Sequence, residues 1–380
     1  MKLCVFPNDP ILAYFQKGEI KERYFNPHNF FDEVHIISFS NNEIEEEKVK
    51  KIAGNAKLKI HCVGEINLKN MRKEKERVIE FVKKIEPDII RAYNPLVQGW
   101  IAVQCSKNLK IPLLVSLHGN YDKFRDMIMK QNFKQYLKML YTAKFIEPFV
   151  IKNADVVICV YKSILPYAKK NGAKKIELVY NRINLEQFRK KEKTYENKIP
   201  TIITVGRLIK QKNQDIILKA ITQLNVKLLI IGDGKDYDRL LKLVKDLKLV
   251  NRVTFQRSVQ HSEIHKWYQQ ADIFALAMRT DLESLPIPII EAMAAGLPVV
   301  MSKPKIGISD GLEGFAVLSD PNPEAFTKAI KEIIENKNYG LELSKKSKEC
   351  SLRFDSENIE RKEMEIYEEL INFKNNTKNV

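Results

Sequence analysis

Residues Glu283 to Val300 read ESLPIPIIEAMAAGLPVV. Two carboxylates eight positions apart flank an apolar run, and Ala292, Ala294, Ala295 and Gly296 follow before a β-branched strand signal. Such small residues let a helix lie close against a sheet, so the stretch reads as loop, helix and buried parallel strand. Ser284, Leu285, Pro286 and Ile287 lead into the helix, whose first N–H groups and positive dipole end suit a phosphate. Glu291 falls one to two turns inside the helix and Glu283 before it, so both can face one crevice. Alone, a pair of glutamates is a common surface feature. In this apolar setting Glu291 must be buried or line a cleft, which is costly without a partner.

Outward from this stretch, short β-branched runs alternate with helical patterns along nearly the whole chain, which is the mark of α/β layering around parallel sheets. Strands are expected at 2–6, 34–39, 58–63, 89–93, 113–117, 156–160 and 176–179, with helices such as 72–85 and 96–107 between them. A charged stretch, 186–198, reads as a linker. The pattern then restarts with strands at 199–205, 227–231, 252–255, 273–277, 298–301 and 315–318, separated by helices at 215–224, 236–247, 262–270, 288–295 and 323–334. The expectation is two tandem Rossmann-like, doubly wound α/β domains, residues 1–190 and 196–357. An amphipathic helix at about 358–375 either finishes the second domain or returns to the first.

The 380 residues are 44% hydrophobic, which excludes a disordered or fibrous chain, and they carry a formal net charge of +16. Residues 1–195 hold 36 basic and 22 acidic side chains, against 28 and 26 in residues 196–380. A field of that kind attracts a polyanion, an acidic membrane surface or a phosphorylated ligand. A general bias toward lysine accounts for it equally well. Five cysteines, odd in number and without a C-x-x-C pair, indicate neither a disulfide framework nor a zinc site. The N-terminus has no signal-peptide core, and no apolar run is long enough to span a bilayer. A cytoplasmic protein is expected, possible membrane contact being peripheral and on the cytoplasmic face.

Four basic or strand-end positions also stand out. Gly206 and Arg207 follow a strand, and Lys212 comes shortly after in VGRLIKQKN. Either cation alone would be an ordinary solvated charge; just past a strand end and before a helix, they are placed to meet an anion. His118, in VSLHG, ends another strand, where open α/β sheets put ligands, and Gly119 allows close backbone approach. Asp236 and Asp238 make a D-x-D, but at a helix start they complement the dipole, and no metal role is assigned. In residues 121–150, Lys130, Lys134 and Lys138 share one helical face and Phe133, Leu137 and Leu140 another, which suits a solvated helix or one lying on anionic lipid.

The E-x7-E segment with AMAAGLPVV, the G-R-L segment with Lys212, and the stretches IGDG, ADIF, NADVVICV and VYNRINLEQF resemble retaining glycosyltransferases of family 4, in order and spacing, over roughly residues 150–370. The resemblance implies the GT-B architecture, two Rossmann-like domains facing a cleft, with the donor on the C-terminal domain and the acceptor on the N-terminal one. It implies that Arg207 and Lys212 clamp the donor diphosphate, with Gly206 beside them. Glu291 would hold the ribose hydroxyls and Glu283 the transferred sugar. Backbone N–H groups of Ser284, Leu285 and Ile287, around Pro286, would meet the distal phosphate or sugar, and His118 would approach the reacting sugar. The catalytic set is then His118, Glu283, Arg207 and Lys212, with a nucleotide sugar as substrate and no cofactor or metal. The chain departs from the family at FPNDP, where a glycine-rich loop is usual, at Arg182, and at Ser284-Leu285-Pro286 in place of G-F-G. The acceptor is expected to be a glycan or lipid-linked, and nucleic acid is not expected. The alternatives are a nucleotide-sugar epimerase or hydrolase on the same fold, and a non-catalytic scaffold or basic nucleic-acid-binding protein.

Overall fold

The computed structural model describes residues 1–129, 132–188, 199–280, 283–304 and 310–378. The chain divides into two compact units, Met1–Tyr180 with Glu357–Val380, and Asn181–Ser356. The passage from one to the other comes after Tyr180, ahead of the charged stretch read as a linker, of which residues 189–198 lie outside the described residues. Residues 181–188 group with the second unit, where Ile183 bridges Asp355 and the Gln187 amide donates to the Ser262 carbonyl at 3.0 Å.

The first unit contains strands β1 (Lys2–Phe6), β2 (Glu33–Ser38), β3 (Lys57–Cys62), β4 (Ile89–Ala92), β5 (Leu113–Leu117), β6 (Val156–Cys159) and β7 (Ile176–Leu178). They form one sheet in the order β3-β2-β1-β4-β5-β6-β7, every pair parallel. The second unit contains β8 (Thr201–Val205), β9 (Lys227–Ile231), β10 (Val253–Gln256), β11 (Ile273–Leu276), β12 (Val299–Ser302) and β13 (Val317–Ser319). Its order is β10-β9-β8-β11-β12-β13, again all parallel. Both sheets are the doubly wound kind expected from the alternating pattern. Each reverses direction between its first and fourth strands, and ligands of such sheets bind outside the strand C-termini at that point.

The central strands are buried on both faces, which explains why they read as continuous β-branched runs rather than alternating ones. One helix that the apolar pattern does not announce, Lys337–Ser351, packs through small residues. Gly340, Ser344 and Ser347 are buried on it, and the Ser344 hydroxyl donates to the Gly296 carbonyl at 2.6 Å. A helix that docks through glycine and serine leaves little hydrophobic period to read.

The last helix, Ser356–Lys378, enters the first unit after Ser356 and places Ile359, Ile366 and Tyr367 in that unit's core. Its acidic residues meet basic ones there. Glu363 accepts from Arg91 at 2.8 Å, Glu360 pairs with Arg23 at 3.2 Å, and Glu369 with Lys175 at 2.6 Å. Counted by unit rather than by half, the first carries 35 basic and 26 acidic residues and the second 29 and 22, net +9 and +7. The charge asymmetry seen along the chain is thus largely removed by folding. Among the described residues, no helix is long and apolar enough to cross a membrane.

Candidate functional site

In the second unit, β8 ends at Val205 and the chain turns at Gly206 across the top of the sheet. The Gly206 N–H donates to the Ile231 carbonyl at 2.9 Å and the Leu208 N–H to that of Asp233 at 2.8 Å, joining this loop to the one after β9. Gly232 and Gly234 permit the join. Their φ values are +140° and +155°, and a Cβ would lie 2.1 Å from the Gly206 oxygen and 2.3 Å from the Leu208 oxygen. The IGDG segment is therefore a close backbone approach, for which only glycine has room.

Arg207 leaves this loop exposed, and among the described residues its guanidinium makes no hydrogen bond or ion pair. Lys212 closes the short 3-10 turn Lys210–Lys212 and is nearly buried. Its Nζ lies 2.7 Å from Glu283 Oε2, although 71 positions separate the two in sequence. The contact arises because β8 and β11 are neighbours in the sheet. Lys212 follows one and Glu283 the other, and the Arg279 N–H holds the two segments together through the Gln211 carbonyl at 2.9 Å. Two residues with separate expected roles are thus partners.

Ser284, Leu285 and Pro286 are buried, and the helix Ile287–Ala294 begins after an extended Pro286 with no side chain capping its first turn. Ile289, Ile290, Ala292 and Met293 fix the helix in the core. Glu291 is 3% exposed, and both its oxygens are engaged. Oε2 accepts from the Tyr268 hydroxyl at 2.9 Å, and Oε1 lies 3.1 Å from His261 Nε2. These are the partners that a buried carboxylate requires. In turn, burial and the Glu291 charge push the Tyr268 hydroxyl well above the usual tyrosine range, so it stays a donor. Neither His261 nor Tyr268 was read from the sequence. Each lies in a short turn or helix, His261–Glu263 and Ile264–Tyr268, whose own pattern is silent about what it faces.

His118 belongs to the first unit, directly after β5. Its ring stacks on Tyr93 with centroids 5.7 Å apart, and the Tyr161 hydroxyl donates to its carbonyl at 2.8 Å. The Arg91 guanidinium lies 4.5 Å over the same Tyr93 ring and donates to Ser116, Tyr367 and Glu363. The His118 side chain is exposed, yet the protein packed around it, followed by the Arg91 charge, lowers its pKa to about 4. At neutral pH it is an uncharged imidazole, fit to give or accept a hydrogen bond. Arg91 had a signal that sequence reading passed over, a lone cation in the otherwise apolar strand IIRA.

Asp236 accepts from Arg239 at 2.6 Å within its own helix start. Among the described residues no cluster of three His, Cys, Asp or Glu could hold a metal ion.

Comparison with known proteins adds to this geometry. Residues 185–350 match the family described as Glycosyl transferases group 1, and residues 32–187 match Glycosyltransferase Family 4. An uncharacterized glycosyltransferase of Methanocaldococcus jannaschii is 26% identical over 74% of this chain and 76% of its own. The Campylobacter jejuni N-acetylgalactosamine-N,N'-diacetylbacillosaminyl-diphospho-undecaprenol 4-alpha-N-acetylgalactosaminyltransferase is 28% identical over 62% of this chain and 64% of its own. In fold, the chain resembles Anabaena HepE, solved in complex with UDP, with a TM-score of 0.73, 15% identity and coverage of 97% and 100%.

Proposed function

The chain belongs to the family 4 glycosyltransferases, with a GT-B fold, and from that premise we propose that it moves a sugar, with retention, from a nucleotide diphosphate donor held by the second unit. The observation that carries the donor assignment is the meeting of Lys212 and Glu283 at 2.7 Å, with the exposed Arg207, which has no partner among the described residues, on the same loop after β8, at the β8/β11 reversal point.

A departing nucleoside diphosphate gains negative charge as the glycosidic bond breaks. Arg207 is free to meet it, and Lys212 is held close by Glu283, which the incoming phosphate replaces as partner. Each charge-assisted hydrogen bond is worth about 1.5–3 kcal/mol, and donors fixed before the reaction lower the barrier most. Glu283 then turns to the sugar, while Glu291, oriented by Tyr268 and His261, holds the ribose hydroxyls. The N–H groups of the Ser284 to Ile287 turn complete the donor site. Retention follows when the acceptor attacks the face that the diphosphate leaves, a phosphate oxygen taking the acceptor proton. No metal is needed where two cations already offset the charge.

The first unit would present the acceptor, with His118, directly after β5, as an uncharged hydrogen-bonding group. A glycan or a lipid-linked acceptor fits this reading, at the cytoplasmic face of a membrane. The Campylobacter relative, whose acceptor is named as a diphospho-undecaprenol, supports it.

Thermal stability in the presence of UDP, GDP and ADP sugars tests the donor, since a bound ligand raises stability by mass action. One nucleotide series should stabilise the chain; no response to any of them would count against the reading. In calorimetry, Glu291→Gln should weaken nucleotide affinity about ten- to a hundredfold, through loss of a charged acceptor for the ribose hydroxyls. Unchanged affinity would remove Glu291 from the site.

A further inference from the structure

Folding leaves the two units with similar net charge, so a general field no longer singles out a surface for a lipid-linked acceptor. A local feature does. Of the thirteen large apolar side chains that are exposed among the described residues, seven lie between Phe124 and Phe145. The helix Phe133–Tyr141 has no buried residue.

An amphipathic helix on a soluble protein ordinarily turns its apolar stripe inward. Here Tyr136 and Met139 are half-buried, while Phe133, Leu137 and Leu140, spaced four and three apart, face outward at 63%, 50% and 42% exposure. Phe145 continues the exposed apolar surface at 53%, with Lys144 Nζ 5.3 Å from its ring centre. Lys134 and Lys138 lie one turn apart along the border of the stripe, both exposed. From Met127 to Ile146 the sequence contains no Asp or Glu. Lys130, which the sequence pattern groups with Lys134 and Lys138, lies outside the described residues.

We propose that the outward face of helix Phe133–Tyr141, extended by Phe145, is a docking surface for an anionic lipid bilayer, with Phe133, Leu137 and Leu140 entering the acyl boundary and Lys134, Lys138 and Lys144 meeting the headgroups. It deepens the reading above, on which it rests for its purpose, by naming the surface that brings the enzyme to a lipid-linked acceptor. Apolar residues on one face bordered by lysines are what an interfacial helix needs. A second copy of this chain is a poorer occupant. A two-fold contact through this face would bring lysine borders together with no acidic residue of the segment to offset them.

Sedimentation of the full chain with vesicles of phosphatidylcholine alone, and of phosphatidylcholine mixed with phosphatidylglycerol, tests the proposal. The mixed vesicles should bind it and added salt should release it. Phe133→Ser with Leu137→Ser should lower partition on the order of a hundredfold. Lys134→Glu with Lys138→Glu should abolish the preference for anionic lipid, each lysine being worth about fivefold. All four positions are exposed, so unfolding midpoint and donor-nucleotide affinity should not change. Absence of binding to mixed vesicles, or binding that both variants retain, overturns the proposal. So does a dimer that the serine variant dissolves without any vesicle binding. Vesicle binding without sugar transfer would count against the enzymatic reading and leave the docking surface standing; transfer to a soluble acceptor without vesicle binding would do the reverse.

Discussion

The two units share one strand order but use buried charge differently. In the first, Arg91 is closed on every side by Ser116, Tyr367 and Glu363, and Arg125 by Glu147 and Asp122. Burial works against the Arg91 charge, and Glu363 with the neighbouring tyrosines more than restores it. In the second, Lys212 has a carboxylate partner that is itself one-third exposed, and Arg207 has none among the described residues. Closed pairs hold structure together; open ones have charge left for a ligand. The lesson is that a buried ion pair says little about function until its access to solvent is known.

The sharpest way to break that comparison is Glu363→Ala. It strands the Arg91 guanidinium in the core and should cost about 3–5 kcal/mol of stability. Urea unfolding reads the loss, and a cost near zero would mean that the first unit's charges are not a closed network. Arg207→Lys should do the opposite. An exposed side chain without partners among the described residues should leave the unfolding midpoint in place, while kcat/KM falls about tenfold or more because a point charge cannot replace the guanidinium fork. Full activity with lysine there would assign Arg207 to the surface.

The smallest effect is a titration. His118 has its pKa depressed from 6.5 to about 4 by its surroundings, as does His61, which is half-buried beside His35. The folded state therefore binds these protons more weakly than the unfolded one. Their contribution to stability is complete above pH 6.5 and is lost as pH falls toward 4. Ring resonances of His118 should stay flat from pH 8 to about 5 in NMR; a midpoint near 6.5 would show that the imidazole is freely solvated.

Much of the fold is legible before any coordinates. The thirteen strands among the described residues fall where β-branched runs predict them, with ends shifted by at most two residues. Glu291 announces itself as a carboxylate in an apolar helix, and Gly206, Arg207 and Lys212 by following a strand end. Helix Lys337–Ser351 escapes because serines and a glycine do its packing. Tyr268 and His261 escape because no local spacing links them to a carboxylate 23 and 30 positions ahead.

By itself the sequence determines the alternation of strand and helix, the doubly wound class and the residue types gathered at strand ends. These depend on spacings of two to four residues, which backbone geometry turns directly into faces and periods. Only the tertiary structure decides that Lys212 meets Glu283, that Tyr268 and His261 orient Glu291, and that an acidic C-terminal helix returns to the basic first unit and evens out a charge that looked one-sided along the chain. Those contacts are set by which strands become neighbours, and strand order belongs to the whole sheet rather than to any segment of it.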